Sequence, residues 1–242
     1  MKRSSRYRLA FAIAFLLLVI GAYLVYEWLL PNLGRTQRVW LYLRNPAAFP
    51  HWRLKGGERC GNAPFLIPTD GYIGFLWGDS FRPGHRHQGI DIFAGTEPGV
   101  TEVRVAYPGF LTRLSDWKAS LIVRIPQDPL QPERQIWTYY THLASPEGDS
   151  YIVEAFPPGT QGVYVEAGTL LGYQGNYSGN PSNPVGVHLH FSIVKDRDGK
   201  FLNELEIENT FDPSPYFGLP LNSETNPDQV PLCDPGVGGV AD

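Results

Sequence analysis

The stretch GVHLHFSIV, residues 186–194, decides how this chain is read. An apolar run in which two histidines flank one leucine predicts a β-strand, on which successive side chains point to opposite faces. His188 and His190 then share one face, and Leu189 and Phe191 share the other. Two imidazoles turned into an apolar interior would each need hydrogen-bond partners there. The pair is therefore expected to supply two nitrogens to one small site.

Working outward, the same kind of signal recurs. GYIGFLWG, HQGIDIFA, EVRVAYPGFLTRL, SLIVRI, QIWTYYTHL and GVYVEAGTLLGYQG read as short strands separated by turn residues. DRDGK, residues 196–200, reads as a hairpin turn. Gly and Pro together number 48 of 242 residues, which suits many short strands and argues against a helix bundle. The fold class expected is mostly β: one antiparallel domain over residues 65–217. Residues 31–64 read as a connector and residues 218–242 as a tail without regular structure unless Cys233 pins it.

The N-terminus is a different material. Residues 1–8 carry Lys2, Arg3, Arg6 and Arg8, and residues 9–30 are apolar except for Glu27. A helix of that length spans about 33 Å, enough to cross a bilayer core. The expectation is a single-pass transmembrane anchor over 9–30, with Tyr23, Tyr26 and Trp28 near its outer interface and the rest of the chain outside the cytoplasm. A cleaved signal peptide is the alternative. Residues 1–30 are net +3 and the whole chain is −4, which leaves −7 for residues 31–242. An acidic outer domain without a basic stripe argues against a nucleic-acid partner. Cys60 and Cys233 are the only cysteines. In an oxidising compartment they could form a disulfide, and two unrelated buried thiols are the other reading.

The remaining histidines carry the chemistry. His51 reads as a surface residue of the connector. In HRHQGIDI, residues 85–92, His87 and Asp91 lie four apart, with Gly89 leaving room for close backbone approach. A neutral imidazole with a carboxylate begins a zinc site. In YYTHL, residues 139–143, His142 alternates with its neighbours on an expected strand. His85 is expected to be a loop residue lining a cleft. Tyr140 is read as a packed strand residue rather than a support for the site.

These three places, taken in order, resemble the H-x-G-x-D, Y-x-H-L and H-x-H signatures of the lysostaphin/LytM-type zinc metallopeptidases, which are peptidoglycan endopeptidases. VEAGTLLGYQG, residues 165–175, and FDPSPYFG, residues 211–218, are similar to further family segments. The resemblance implies an antiparallel β-sheet domain with a cleft, built on a duplicated hybrid motif. It implies one Zn2+ held by His87, Asp91 and His190, with His142 and His188 beside it managing protons and the substrate oxyanion. The implied substrate is the peptide of peptidoglycan. A non-enzymatic scaffold or activator of other cell-wall enzymes is the alternative, as is a zinc hydrolase of non-wall peptides. The chain departs from the family pattern at Val187, where a proline is common, in the long loop GNYSGNPSNP, residues 175–184, and in GDSFRPGHR, residues 78–86. These departures bear on the cleft walls and so on substrate choice.

Overall fold

The structure, a computed structural model, describes residues 2–80, 84–226 and 229–233. A helix, α1 (Lys2–Arg44), leads into eleven strands. These are β1 (Tyr72–Phe75), β2 (Ile90–Phe93), β3 (Glu102–Arg104), β4 (Gly109–Thr112), β5 (Leu121–Ile125), β6 (Ile136–Thr141), β7 (Val163–Val165), β8 (Leu170–Tyr173), β9 (Leu189–Arg197), β10 (Lys200–Phe201) and β11 (Thr210–Phe211). A short helix, α2 (Ser214–Phe217), follows. The main sheet runs β1-β2-β9-β6-β5-β4-β7, with β10 and β11 also on β9, and β3 pairs with β8 separately. Every one of these strand pairs is antiparallel, so the domain is the mostly-β antiparallel fold the alternation predicts.

GVHLHFSIV leads into the centre of this sheet. β9 lies between β2 and β6, with Asp91 paired to His190 on one side and Thr141 to His190 on the other. Period-two alternation then sorts the side chains. Leu189, Phe191 and Ile193 of β9 join Ile90 and Ile92 of β2 and Ile136 and Tyr140 of β6 in the main core. His190 and Ser192, Asp91, and Tyr139 and Thr141 fall on the opposite face. The strand pattern thus turns one face of the sheet to the main core, while the other carries the histidines at one end and a second apolar cluster around Ile122, Trp137 and Val194 beyond them. DRDGK forms the β9–β10 hairpin, with Asp198 and Gly199 both at positive φ (56° and 78°) as a type I′ turn requires.

One expectation about the fold changes. The transmembrane anchor over 9–30 is overturned: among the described residues, no helix is long and apolar enough to cross a membrane. The single-pass cell-membrane localisation falls with it, and nothing in the described residues shows the membrane as a partner. Rather than ending near residue 30, the helix continues to Arg44, and its last turns pack on the domain. The side chains of 2–7, 9–10 and 25–33 lie outside the described residues, and with them Lys2, Arg3, Arg6, Tyr26 and Trp28. The tail is pinned at Cys233, the condition under which it was expected to hold structure. Leu219 and Leu221 are buried in the main core, and Cys60 forms a disulfide with Cys233, so folded structure continues past residue 217. Residues 227–228 and 234–242 of the expected tail lie outside the described residues.

Candidate metal centre and cleft

The site sits where the polar faces of β2, β9 and β6 meet. Asp91 and His190 are cross-strand partners, so register alone brings their side chains together. His87 arrives from the turn before β2. Its backbone N–H donates to the Asp79 carbonyl at 2.7 Å, and its carbonyl accepts from the Gly78 N–H at 2.8 Å. Gly89 makes the approach possible. A Cβ built there would lie 2.1 Å from the Phe191 carbonyl oxygen and 2.5 Å from Ser192 Oγ.

Three atoms converge. His87 Nε2 is 3.1 Å from Asp91 Oδ1 and 3.0 Å from His190 Nδ1, and His190 Nδ1 is 2.8 Å from Asp91 Oδ1. The outer ring atoms show which nitrogen carries the proton. His87 Nδ1 donates to the Leu76 carbonyl at 2.9 Å, so its Nε2 presents a lone pair. His190 Nε2 faces the Ser192 hydroxyl at 2.9 Å, which accepts when Nδ1 is the lone-pair atom. Two imidazole lone pairs and a carboxylate oxygen crowded together repel one another unless a proton or cation lies among them. This donor set fits zinc. Three ligands at about 2.0–2.1 Å from a tetrahedral ion stand about 3.3 Å apart, so adjustments of a few tenths of an ångström suffice.

Charge follows the same logic. Burial opposes ionisation of Asp91, yet His87, His188 and His190 around it hold its carboxyl well below the usual carboxylate range. Burial also pushes His87 down, but Asp91 beside it more than compensates and raises it. At His190 burial wins and the imidazole is lowered.

The other two histidines flank this trio. His188 precedes β9, donates from Nδ1 to the Gly186 carbonyl at 2.6 Å, and puts Nε2 3.5 Å from Asp91 Oδ1. Its ring stacks on Phe93 at 4.9 Å. His142 is not within β6 as alternation suggested. It follows the strand at φ 73°, a left-handed conformation uncommon for histidine. That turn carries its ring to 4.5 Å from His188, with Nδ1 donating to the Tyr177 carbonyl at 2.6 Å. Burial, with His188 and His190 nearby, pushes His142 down to about 3. Backbone strain of this kind persists where surrounding structure enforces it, and it clusters at functional sites.

All five candidate residues line one cleft of about 520 Å³. His85 lines it too, as do Tyr177, Ser178 and Gly179 of the long 175–184 loop. Tyr140 points the other way, its hydroxyl accepting from the Ala106 N–H in the core. The cleft also gathers residues that the motifs did not mark. Tyr139, Ser120, Thr141 and Glu204 form one wall, with Ser120 Oγ 2.6 Å from Thr141 Oγ1. Alternation along β6 places Tyr139 and Thr141 on one face, but only the β6–β9 register shows that this face is the one His190 occupies.

No protein-family model matches the chain, and no curated protein matches it. Solved structures do. The chain is similar to the catalytic domain of the antimicrobial peptidase lysostaphin from Staphylococcus simulans, at 20% identity over 61% of this chain and 92% of that one, with a TM-score of 0.40. It is also similar to a mutant catalytic domain of the prophage-encoded M23 protein EnpA from Enterococcus faecalis, at 20% identity over 58% and 89%, TM-score 0.36. A third similar structure is Csd3 from Helicobacter pylori, at 16% identity over 62% and 39%, TM-score 0.36. At these values, what the cleft does is read from its own residues.

Proposed function

We propose that this chain is a zinc metallo-endopeptidase that hydrolyses peptide bonds of peptidoglycan. The observation that carries the reading is the convergence of His87 Nε2, His190 Nδ1 and Asp91 Oδ1 within 3.1 Å of one another in an open cleft. His87, Asp91 and His190 would hold the metal. Zinc, when bound there, supplies Lewis acidity that activates water and polarises a carbonyl.

The chain's own residues supply the rest. His142 and His188 each commit Nδ1–H to a backbone carbonyl, so each turns an Nε2 lone pair inward. Two such atoms beside the metal can take the proton from the attacking water at one Nε2 and, once protonated, donate to the tetrahedral oxyanion. His142 is neutral at working pH, which keeps its Nε2 available as an acceptor. Asp91, ionised throughout that range, offsets part of the metal's charge. The wall-peptide substrate rests on the resemblance carried by HQGID, YYTHL and GVHLHF. The Cys60–Cys233 disulfide suits an oxidising compartment.

The test is direct. Purified protein is expected to carry about one zinc per chain and to release peptide fragments from sacculi, with mass spectrometry identifying the bond cut. His190→Ala and Asp91→Ala are expected to abolish both properties. Full activity in either variant would overturn the assignment.

A further inference from the structure

Behind His87, a line of contacts leads out of the cleft to the helix that precedes the domain. Arg35 of α1 and Asp79 are each 3% exposed, with Arg35 Nε 3.2 Å from Asp79 Oδ1. The other oxygen of the same carboxylate, Oδ2, accepts from the Leu76 N–H at 2.7 Å. The Leu76 carbonyl in turn accepts from the Asp79 N–H at 3.2 Å and from His87 Nδ1 at 2.9 Å. The 76–79 turn therefore holds His87 twice, by its backbone through Gly78 and Asp79 and by its ring through Leu76.

A buried ion pair contributes little net stability, because desolvation of both charges offsets their attraction. What this one does is fix geometry. The Asp79 carboxylate spans from the Arg35 guanidinium to the backbone N–H of Leu76, the residue whose carbonyl orients the His87 ring. Arg35 Nη2 also donates to the Asn226 carbonyl at 2.8 Å, adding the C-terminal segment to the same anchor. α1 is itself held in place. A Cβ at Gly74 of β1 would lie 2.5 Å from Val39 Cγ2, and the Tyr42 hydroxyl donates to the Ala94 carbonyl at 3.2 Å.

We propose that Arg35 is a positioning residue for His87: through Asp79 and the 76–79 turn, the helix ahead of the domain sets the direction of the His87 Nε2 lone pair. The functional consequence rests on the metallo-endopeptidase reading above. Partners that orient a metal-ligating histidine typically change metal affinity 10–100-fold when lost. Arginine suits the role because one planar guanidinium lies against the Asp79 carboxylate while its Nη2 donates to the Asn226 carbonyl, which a lysine ammonium cannot reproduce.

The experiment uses the full chain with Arg35→Met, Arg35→Lys and Asp79→Asn. It measures zinc affinity by competition with a chromophoric chelator, the visible spectrum of the Co2+-substituted protein, the Tm of the metal-free protein, and kcat and KM separately. Arg35→Met is expected to weaken zinc binding about ten-fold or more and to alter the cobalt spectrum. It should lower kcat while leaving KM within about two-fold, and Arg35→Lys should recover part of the loss. An Arg35→Met protein that loses Tm but keeps the parental zinc affinity and cobalt spectrum would show that Arg35 serves packing only, and the proposal would fall. Should Arg35→Met not fold, Arg35→Lys decides: weakened zinc binding at an unchanged Tm supports the proposal, and parental affinity overturns it. A parent chain that binds neither metal refutes the metal-centre reading instead. The 15N shift of His87 Nδ1 then reads the coupling on its own, and a shift unchanged by Arg35→Met overturns it.

Discussion

Gly89→Ala concentrates the logic of the site in one methyl group. Gly89 lies midway between His87 and Asp91, and the atoms nearest to it are mostly fixed backbone rather than flexible side-chain ends. The added Cβ would meet the Phe191 carbonyl oxygen at 2.1 Å, Ser192 Oγ at 2.5 Å and the Phe191 carbonyl carbon at 2.9 Å. An ordinary contact begins near 3.4 Å, so β2 and β9 must separate locally by about 1.3 Å. Overpacking of this kind costs about 1–3 kcal/mol. For a chain of this size that corresponds to a fall in Tm of about 2–12 °C. The same separation parts the cross-strand partners Asp91 and His190, so zinc affinity should fall about ten-fold or more. Differential scanning calorimetry and chelator competition measure the two effects. Gly186→Ala is the control, because its Cβ would meet only Phe93 Cε1, at 3.8 Å, and its φ is not in the left-handed region. Its Tm should stay unchanged or rise. A Gly89→Ala protein with parental Tm and parental zinc affinity would refute the packing argument and with it the claim that glycine is needed between the two ligands.

Two further outcomes follow from the same geometry. His142 is depressed in the folded chain to about 3 from an ordinary value near 6.5, so between those values the unfolded chain binds the extra proton. Its contribution is fully present above about pH 6.5 and is lost as pH falls toward 3; urea unfolding of metal-free His142→Phe should therefore show a shallower loss between pH 7 and pH 4 than the parent, and an identical slope would contradict the assignment. The Cys60–Cys233 disulfide closes a loop across 173 residues, and Cys233→Ser should lower stability by about 2–5 kcal/mol while leaving zinc affinity unchanged, as read by thermal unfolding and chelator competition.

Much of the site could be read from local chemistry. Alternation in GVHLHFSIV puts His188 and His190 on one face, and both reach Asp91 Oδ1 from that face. Gly89 reads as a position of close backbone approach, and it is one. Asp-Gly in DRDGK specifies a hairpin turn because those residues tolerate positive φ. The resemblance motifs named the five cleft residues together. Two expectations failed because each extended a local pattern beyond its reach. The apolar run after the basic N-terminus predicted a membrane span, whereas the helix continues to Arg44 with Arg35, Val39 and Tyr42 packed into the domain. His142 looked like one more alternating strand residue, yet tertiary contacts turn it to φ 73° beside His188.

The division has a physical cause. Side-chain alternation, turn residues and the donor character of histidine and aspartate depend on near neighbours, and the sequence by itself determined them. Which strand lies beside which is a matter of global register, and tertiary structure alone decided it. Only the pairing of β2 with β9 sets Asp91 against His190, and only packing brings Arg35 through Asp79 to the back of His87. Contacts across 44 and 99 residues of chain are made when the core closes, and no local pattern encodes them.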